Sequence, residues 1–96
     1  MARSIYLSCR SMAMAISLLL YERDALRQRM ACVDAHTMIE ENLMAQLHDI
    51  DCALHEFEHA YEAKRRLEPH TTSYADYVAL IERFIDDEND EVGAPY

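Results

Sequence analysis

Residues 12–21 read MAMAISLLLY, a run in which only Ser17 is polar. The run lies inside residues 5–33, a longer stretch that contains neither glycine nor proline. Nothing in that stretch breaks a helix, and its alanine, leucine and methionine residues favour one. We therefore expect residues 12–21 to form the centre of a helix that supplies much of the hydrophobic core.

The rest of the composition agrees with a helical chain. Among 96 residues there are one glycine and two prolines, too few for the repeated tight turns of a β fold. A chain of this length forms one small domain, which we take to cover residues 1–96. The fold class we expect is all-α: an antiparallel three-helix hairpin or bundle with a long middle helix, completed by dimerisation.

Helix boundary signals divide the chain into three segments. The first helix is expected over about residues 4–31, because Ser4 is a suitable N-cap. The second is expected over about residues 35–67, because Pro69 stops a helix and disfavours helical geometry at the residue before it. The third is expected over about residues 74–88, opened by a serine with an aspartate three residues later.

The connections carry weaker signals. We expect a turn within residues 32–36, because Thr37 and Glu40 form a capping box at the start of the second helix. One continuous helix through this point is the alternative. Residues 86–96 are expected to form an acidic tail that frays the third helix, since the dipole at a helix C-terminus disfavours negative charge.

Apolar side chains recur at helical spacing in each segment. The expected core face of the first helix comprises Ile5, Cys9, Met12, Ile16, Leu19, Leu20, Leu26 and Met30. In the second helix the spacing alternates by four and three, as in helices packed side by side: Leu43, Leu47, Ile50, Leu54, Phe57 and Tyr61. In the third helix the face comprises Tyr74, Tyr77, Val78, Ile81, Phe84 and Ile85.

The first helix has a second apolar face, roughly opposite the first, that continues to Cys32. A helix that is apolar on two faces is either central in its domain or shared with a partner. Two further helices could flank it and cover both faces, but exposed apolar faces usually mark interfaces. The candidate partner-binding residues are Leu7, Met14, Leu18, Tyr21 and Ala25.

Charge is unevenly distributed. The formal net charge is −9, and residues 34–63 carry eight acidic side chains without lysine or arginine. Direct binding to nucleic acid is disfavoured, because phosphate contacts need clustered cations. Arg23, Arg27 and Arg29 are expected to pair with the acidic second helix. We therefore expect a small acidic regulatory protein that binds another protein, such as a transcription regulator or a nucleic-acid-processing protein, and antagonises it. An acidic inhibitor that mimics DNA is an alternative.

The middle helix also carries His48, Cys52, His55 and His59 on one stripe, facing nearly opposite its apolar seam. Pairs of these side chains stand one turn apart, as metal chelates do, and Glu56 with His59 matches the Glu-x-x-His spacing of di-iron bundles. A metal-binding helical bundle that uses His48, His55, His59 and nearby carboxylates is therefore a second alternative. One helix cannot surround an ion with all of these ligands, so the leading hypothesis includes no cofactor.

Enzymatic and membrane functions are disfavoured. The sequence contains no glycine-rich phosphate loop and no catalytic motif that we can identify, so we expect no enzyme activity. Cys9, Cys32 and Cys52 lack CxxC spacing, and we expect each to be a small buried residue in a reducing compartment. Charged residues close the run at 12–21 too early for a membrane span, and it lacks a signal-peptide cleavage site. We expect a cytoplasmic homodimer or complex.

Overall fold

The chain folds into three α-helices. The computed structural model describes residues 7–33 and 38–93, with side chains for residues 7–33 and 38–89. The helices are α1 (Cys9–Ala31), α2 (Met38–Arg65) and α3 (Tyr74–Gly93). The described ranges contain no strand, which confirms the all-α prediction.

The first turn of α1 begins at Cys9 in the described part of the chain. Ser8 is the N-cap, and its hydroxyl accepts a hydrogen bond from the amide of Ser11 at 3.1 Å. The amide of Cys9 donates to Glu68 Oε2 at 3.0 Å, from the far end of the chain. These two acceptors stabilise the first turn of α1. The predicted N-cap Ser4 lies outside the described residues.

α1 and α2 are separate helices, so the alternative of one continuous helix is wrong. α1 ends at Ala31, and the following amide, that of Cys32, donates to the Arg29 carbonyl at 3.1 Å. α2 is already helical at Met38. The predicted capping residue Thr37 lies outside the described residues.

α2 ends two residues before the predicted boundary at Leu67. The amide of Leu67 donates to the Lys64 carbonyl at 2.9 Å, and that of Glu68 to the Arg65 carbonyl at 3.1 Å. These are bonds to the residue three positions back, so the last turn tightens and leaves the α-helical path. The chain reverses beyond it at His70, whose φ of 73° lies in the left-handed region.

α1 lies between the other two helices. Cys9 near the start of α1 contacts the Tyr61 carbonyl near the end of α2, so these two helices run antiparallel. Arg23 joins both neighbours, with Nη1 at 3.4 Å from Asp51 Oδ1 on α2 and Nη2 at 3.0 Å from Glu82 Oε1 on α3. The prediction that the basic first helix pairs with the acidic second helix is confirmed at Arg23.

The core follows the predicted faces of α1 and α2. Its buried side chains come from all three helices: Cys9, Met12, Ile16, Leu20, Leu26, Leu43, Ile50, Leu54, Tyr61, Ile81 and Ile85. Leu19, Met30, Leu47 and Phe57 are partly buried against them. The predicted core residue Ile5 lies outside the described residues.

Phe84 and two of the three cysteines, all predicted to be buried, are exposed. Phe84 is 48% exposed, because Ile81 and Ile85 form the contact of α3 with the core and Phe84 lies at the edge of that face. Cys32 and Cys52 are exposed free thiols, so the prediction that every cysteine is buried holds for Cys9 alone. Cys32 follows the end of α1 and Cys52 lies on the outer side of α2, where neither can reach the core.

The third helix is longer than predicted. It continues to Gly93, past the expected end at residue 88, so the helix does not fray where the acidic segment begins. Contacts with α1 hold this part of α3 in place. Gln28 Nε2 donates to Asn89 Oδ1 at 3.0 Å, and Asn89 Nδ2 donates to Asp24 Oδ2 at 3.4 Å.

Two glutamates tie the α2–α3 connection to the helix ends. Glu62 accepts hydrogen bonds from Arg65 Nε at 2.6 Å and from the amide of Tyr74 at 3.0 Å. Glu68 accepts a hydrogen bond from the amide of Cys9. As predicted, Ser73 caps α3, because its hydroxyl accepts the amide of Asp76 at 3.2 Å.

These hydrogen bonds predict that the fold loses stability in acid. The Arg65 side chain and the Tyr74 amide lower the pKa of Glu62 below its usual 4.5, and hydrogen bonds from Cys9 lower the pKa of Glu68. A carboxyl group with a depressed folded-state pKa stabilises the fold above its unfolded pKa, and this stability is lost as the pH falls through the folded pKa. We expect the thermal midpoint to fall between pH 7 and about pH 3.

The double variant Glu62→Gln, Glu68→Gln tests this assignment. It should lower the midpoint at pH 7 and flatten the difference between neutral and acidic pH, measured by circular dichroism. Glu56→Gln, on the exposed side of α2, is the matched control and should keep the wild-type difference. An unchanged pH profile in the double variant would contradict the assignment.

Candidate interaction surface

The second apolar face of α1 is exposed. Leu18 is 71% exposed and Met14 is 65% exposed, although both lie in the middle of a helix whose opposite side is fully buried. The other three candidate residues, Leu7, Tyr21 and Ala25, are also exposed. Since neither α2 nor α3 covers this face, the flanking arrangement considered from the sequence does not apply.

The exposed face continues onto α3 through Leu80 and Phe84, which are 43% and 48% exposed. Two hydrogen bonds join α3 to α1, one before Leu80 and one after Phe84 along α3. Tyr77 on α3 donates to the Ala13 carbonyl at 3.0 Å, and Tyr21 on α1 donates to Glu88 on α3 at 3.4 Å. Leu80 and Phe84 lie between those two contacts and therefore beside the apolar face of α1.

We call this combined area the apolar surface. It consists of Leu7, Met14, Leu18, Tyr21, Ala25, Leu80 and Phe84. The α3 members of this surface, Leu80 and Phe84, were not predicted, because the helical spacing assigned Phe84 to the core. The available signal was Leu80, which lies one turn before Phe84 and outside the core stripe of α3.

Charged residues of both signs surround the apolar surface. On the helices they stand one turn or less from its members and are exposed: Arg10, Glu22, Arg29, Asp76, Arg83, Asp87 and Glu88. An apolar centre with a polar rim is the usual organisation of a protein–protein interface. Tyr21 links the two zones, because it belongs to the apolar surface and its hydroxyl donates to the Glu88 carboxylate of the rim.

A shallow depression extends the apolar surface at the C-terminal end of α1. It is lined by Ala25, Gln28, Arg29, Cys32 and Val33, and most of its lining is apolar. The second apolar face predicted for α1 also reached Cys32. The surface therefore follows nearly the whole length of α1.

The histidine stripe of α2 lies on the side of that helix that faces away from the core. His48, Cys52, His55 and His59 are all exposed. Cys52 Sγ lies 3.6 Å from His48 Nε2, and His59 Nε2 lies 3.2 Å from His55 Nε2. Within the described residues of one chain, no three histidine, cysteine or acidic side chains come together as a metal site.

Glu56 does not complete the di-iron motif that its spacing suggests. Its side chain is exposed, as is that of His59, whereas the metals of such bundles bind between helices. Glu56 and His59 therefore lie on the exposed side of α2, away from the side chains that this helix buries in the core.

The buried cysteine is not suited to nucleophilic chemistry. Burial, together with the hydrogen bond and negative charge of Glu68, raises the pKa of the Cys9 thiol to about 11. The thiolate is the reactive form of cysteine, so Cys9 is inert near neutral pH. Cys9 contributes to the core.

No helix in the part of the chain described here is long and apolar enough to cross a membrane. Comparison of the sequence and the fold with protein-family models, with curated proteins and with solved structures gives no match.

Proposed function

We propose that this protein is a small acidic regulatory protein that binds another protein through the apolar surface and antagonises it. The observation that supports this most is the exposure of Leu18 and Met14 at the centre of α1. Exposed apolar side chains are common singly, but a contiguous row across two helices usually marks an interaction site. α1 then has two roles, with one side in the core and the other available to a partner.

The charge of the chain supports a basic target. A net charge of −9 attracts proteins with positive surfaces and repels nucleic acid. Transcription regulators and nucleic-acid-processing proteins have such surfaces, so they are the target class we propose. In this arrangement long-range attraction raises the association rate, and the apolar surface supplies most of the affinity.

Leu18→Glu should strongly weaken target binding without unfolding the protein. A charge at the centre of an interface removes an apolar contact and is buried without a partner, so we expect the affinity to fall by about 30-fold or more. The bound protein is first isolated from host lysate with the wild-type chain. Its affinity for purified wild type and variant is then measured by calorimetry.

Ala60→Glu is the matched control, because it adds the same charge at an exposed position of α2 that lies outside the apolar surface. This variant should bind like the wild type. Equal affinity of Leu18→Glu and wild type would contradict the proposal. If the affinity instead fell steeply with salt concentration and was the same for Leu18→Glu and wild type, the alternative of an acidic DNA mimic would be favoured.

A further inference from the structure

The histidine stripe of α2 is composed of two donor pairs with the spacing of a tetrahedral metal site. For Zn–N and Zn–S bonds of about 2.0 and 2.3 Å, tetrahedral angles place two nitrogens about 3.3 Å apart and a nitrogen and a sulfur about 3.5 Å apart. The observed separations are 3.2 Å for His55 and His59, and 3.6 Å for His48 and Cys52. Each pair therefore has the separation between donor atoms that one edge of such a tetrahedron requires.

One chain supplies only half of each site. The two pairs are seven residues apart, which is about 10 Å along a helix, so a single ion cannot contact both. A structural zinc site needs four protein ligands. The described residues of the chain provide no third ligand for either pair.

The positions of the four residues are symmetric about the point between Ala53 and Leu54. His48 precedes that point by as many residues as His59 follows it, and Cys52 and His55 are related in the same way. A second copy of α2, packed antiparallel about a two-fold axis at this point, therefore brings each pair of one chain opposite the other pair of its partner.

We propose that two copies of this chain bind two divalent transition-metal ions between their α2 helices. Each ion is held by His48 and Cys52 of one chain together with the partner's His55 and the partner's His59. Three imidazoles and one thiolate form a closed tetrahedral set suited to zinc. Each chain contributes to both sites, and neither site is complete without the partner.

The residues beyond the stripe fit the same antiparallel packing. The stripe continues at alternating spacings of four and three, through Ala45 and Glu41 before it and Glu62 after it. Arg66, the next position at this spacing, directly follows the end of α2. The symmetry places Glu41 opposite the partner's Arg66, a pair of opposite charge. The small Ala45 side chain is exposed and permits close approach of the two helices.

The charge of α2 makes this dimer depend on metal. The helix carries seven carboxylates against Lys64 and Arg65, so two copies repel each other when they approach. Two divalent cations at the centre of the contact offset that repulsion. The chain should therefore not pair through this face without metal.

Titration with zinc and with cobalt tests the proposal. Untagged full-length protein, kept reduced with a phosphine so that Cys52 forms no disulfide, is titrated while its mass is measured by sedimentation. We expect one ion per chain and a doubling of the 11.2 kDa mass. With cobalt, the d–d absorption of a tetrahedral ion and a thiolate charge-transfer band should appear together with the dimer.

Two variants and one control assign the ligands. Cys52→Ala and His59→Ala should each weaken zinc binding by about 100-fold or more, because losing a ligand costs at least as much as losing a residue that orients one. Both side chains are exposed, so these variants should fold normally. Cys32→Ala is the matched control, an exposed cysteine outside the stripe, and should bind and dimerise like wild type.

Three results would overturn the proposal: no binding of either metal, binding by a chain that stays monomeric, or dimerisation that survives both Cys52→Ala and His59→Ala. Leu18→Glu should leave the metal-dependent dimer intact, because Leu18 lies on α1 and outside the contact. Loss of this dimer and loss of target binding are therefore distinguishable.

Discussion

Ile16→Ala should destabilise the fold by about 3 kcal/mol, in the range measured for buried isoleucine truncations. Ile16 is 0% exposed and lies on the side of α1 that packs against the rest of the core. The substitution removes apolar contacts and leaves a cavity that the surrounding helices fill only in part. A domain of this size has a total stability on the order of 5–15 kcal/mol, so the loss is a large fraction. Urea unfolding followed by circular dichroism measures it.

Leu18→Ala is the control for Ile16→Ala, because Leu18 lies in the same helix with its side chain exposed. Truncation of an exposed residue changes stability by less than about 0.5 kcal/mol. The two substitutions together separate the core side of α1 from the apolar surface. If they cost the same, either α1 is rotated from the position described or a partner already covers Leu18.

The features predicted correctly are those set by spacing within one helix. The alternation of four and three in α2 identified Leu43, Ile50, Leu54 and Tyr61, all of which are buried. The two faces of α1 were separated in the same way. Such patterns are local, since a helix repeats every 3.6 residues whatever it packs against.

The features predicted incorrectly depend on contacts between distant parts of the chain. α3 continues past residue 88 because Asn89 bonds to α1. Phe84 has the spacing of a core residue, but it is exposed because Ile81 and Ile85 form the contact of α3 with the core. Helix periodicity contains none of this information.

The spacing of the histidine stripe predicted correctly that its four donors share one side of α2, but it did not predict how they could hold an ion. The four donors lie along one helix and cannot surround an ion, and the described residues provide no further ligand. The order His, Cys, His, His is nevertheless symmetric in position, and symmetry matters only when two chains meet. A metal site shared by two copies is therefore consistent with the lack of one among the described residues of a single chain.

The two proposed sites lie on opposite sides of the molecule. The apolar surface faces outward from α1, and the histidine stripe faces outward from α2, which packs against the other side of α1. A metal-bridged dimer would therefore present two apolar surfaces pointing away from each other. Under both proposals, such a dimer would bind one target molecule at each end.

Tyr61→Ala should cost about 3–5 kcal/mol, as large aromatic truncations in cores do. Tyr61 is 2% exposed and lies where all three helices meet. Its hydroxyl donates to the Thr72 carbonyl at 2.6 Å, and its ring packs edge-on against Tyr74, with centroids 6.2 Å apart. Removing the side chain therefore loosens the end of α2, the connection and the start of α3 together. Urea unfolding measures the change.

Tyr61→Phe separates the ring from the hydroxyl. It keeps the apolar packing and loses one hydrogen bond, whose net contribution is about 1 kcal/mol. The alanine variant should therefore lose several times more stability than the phenylalanine variant. Equal losses would mean that the hydrogen bond to the connection, rather than the packing of the ring, holds α3 against the first two helices.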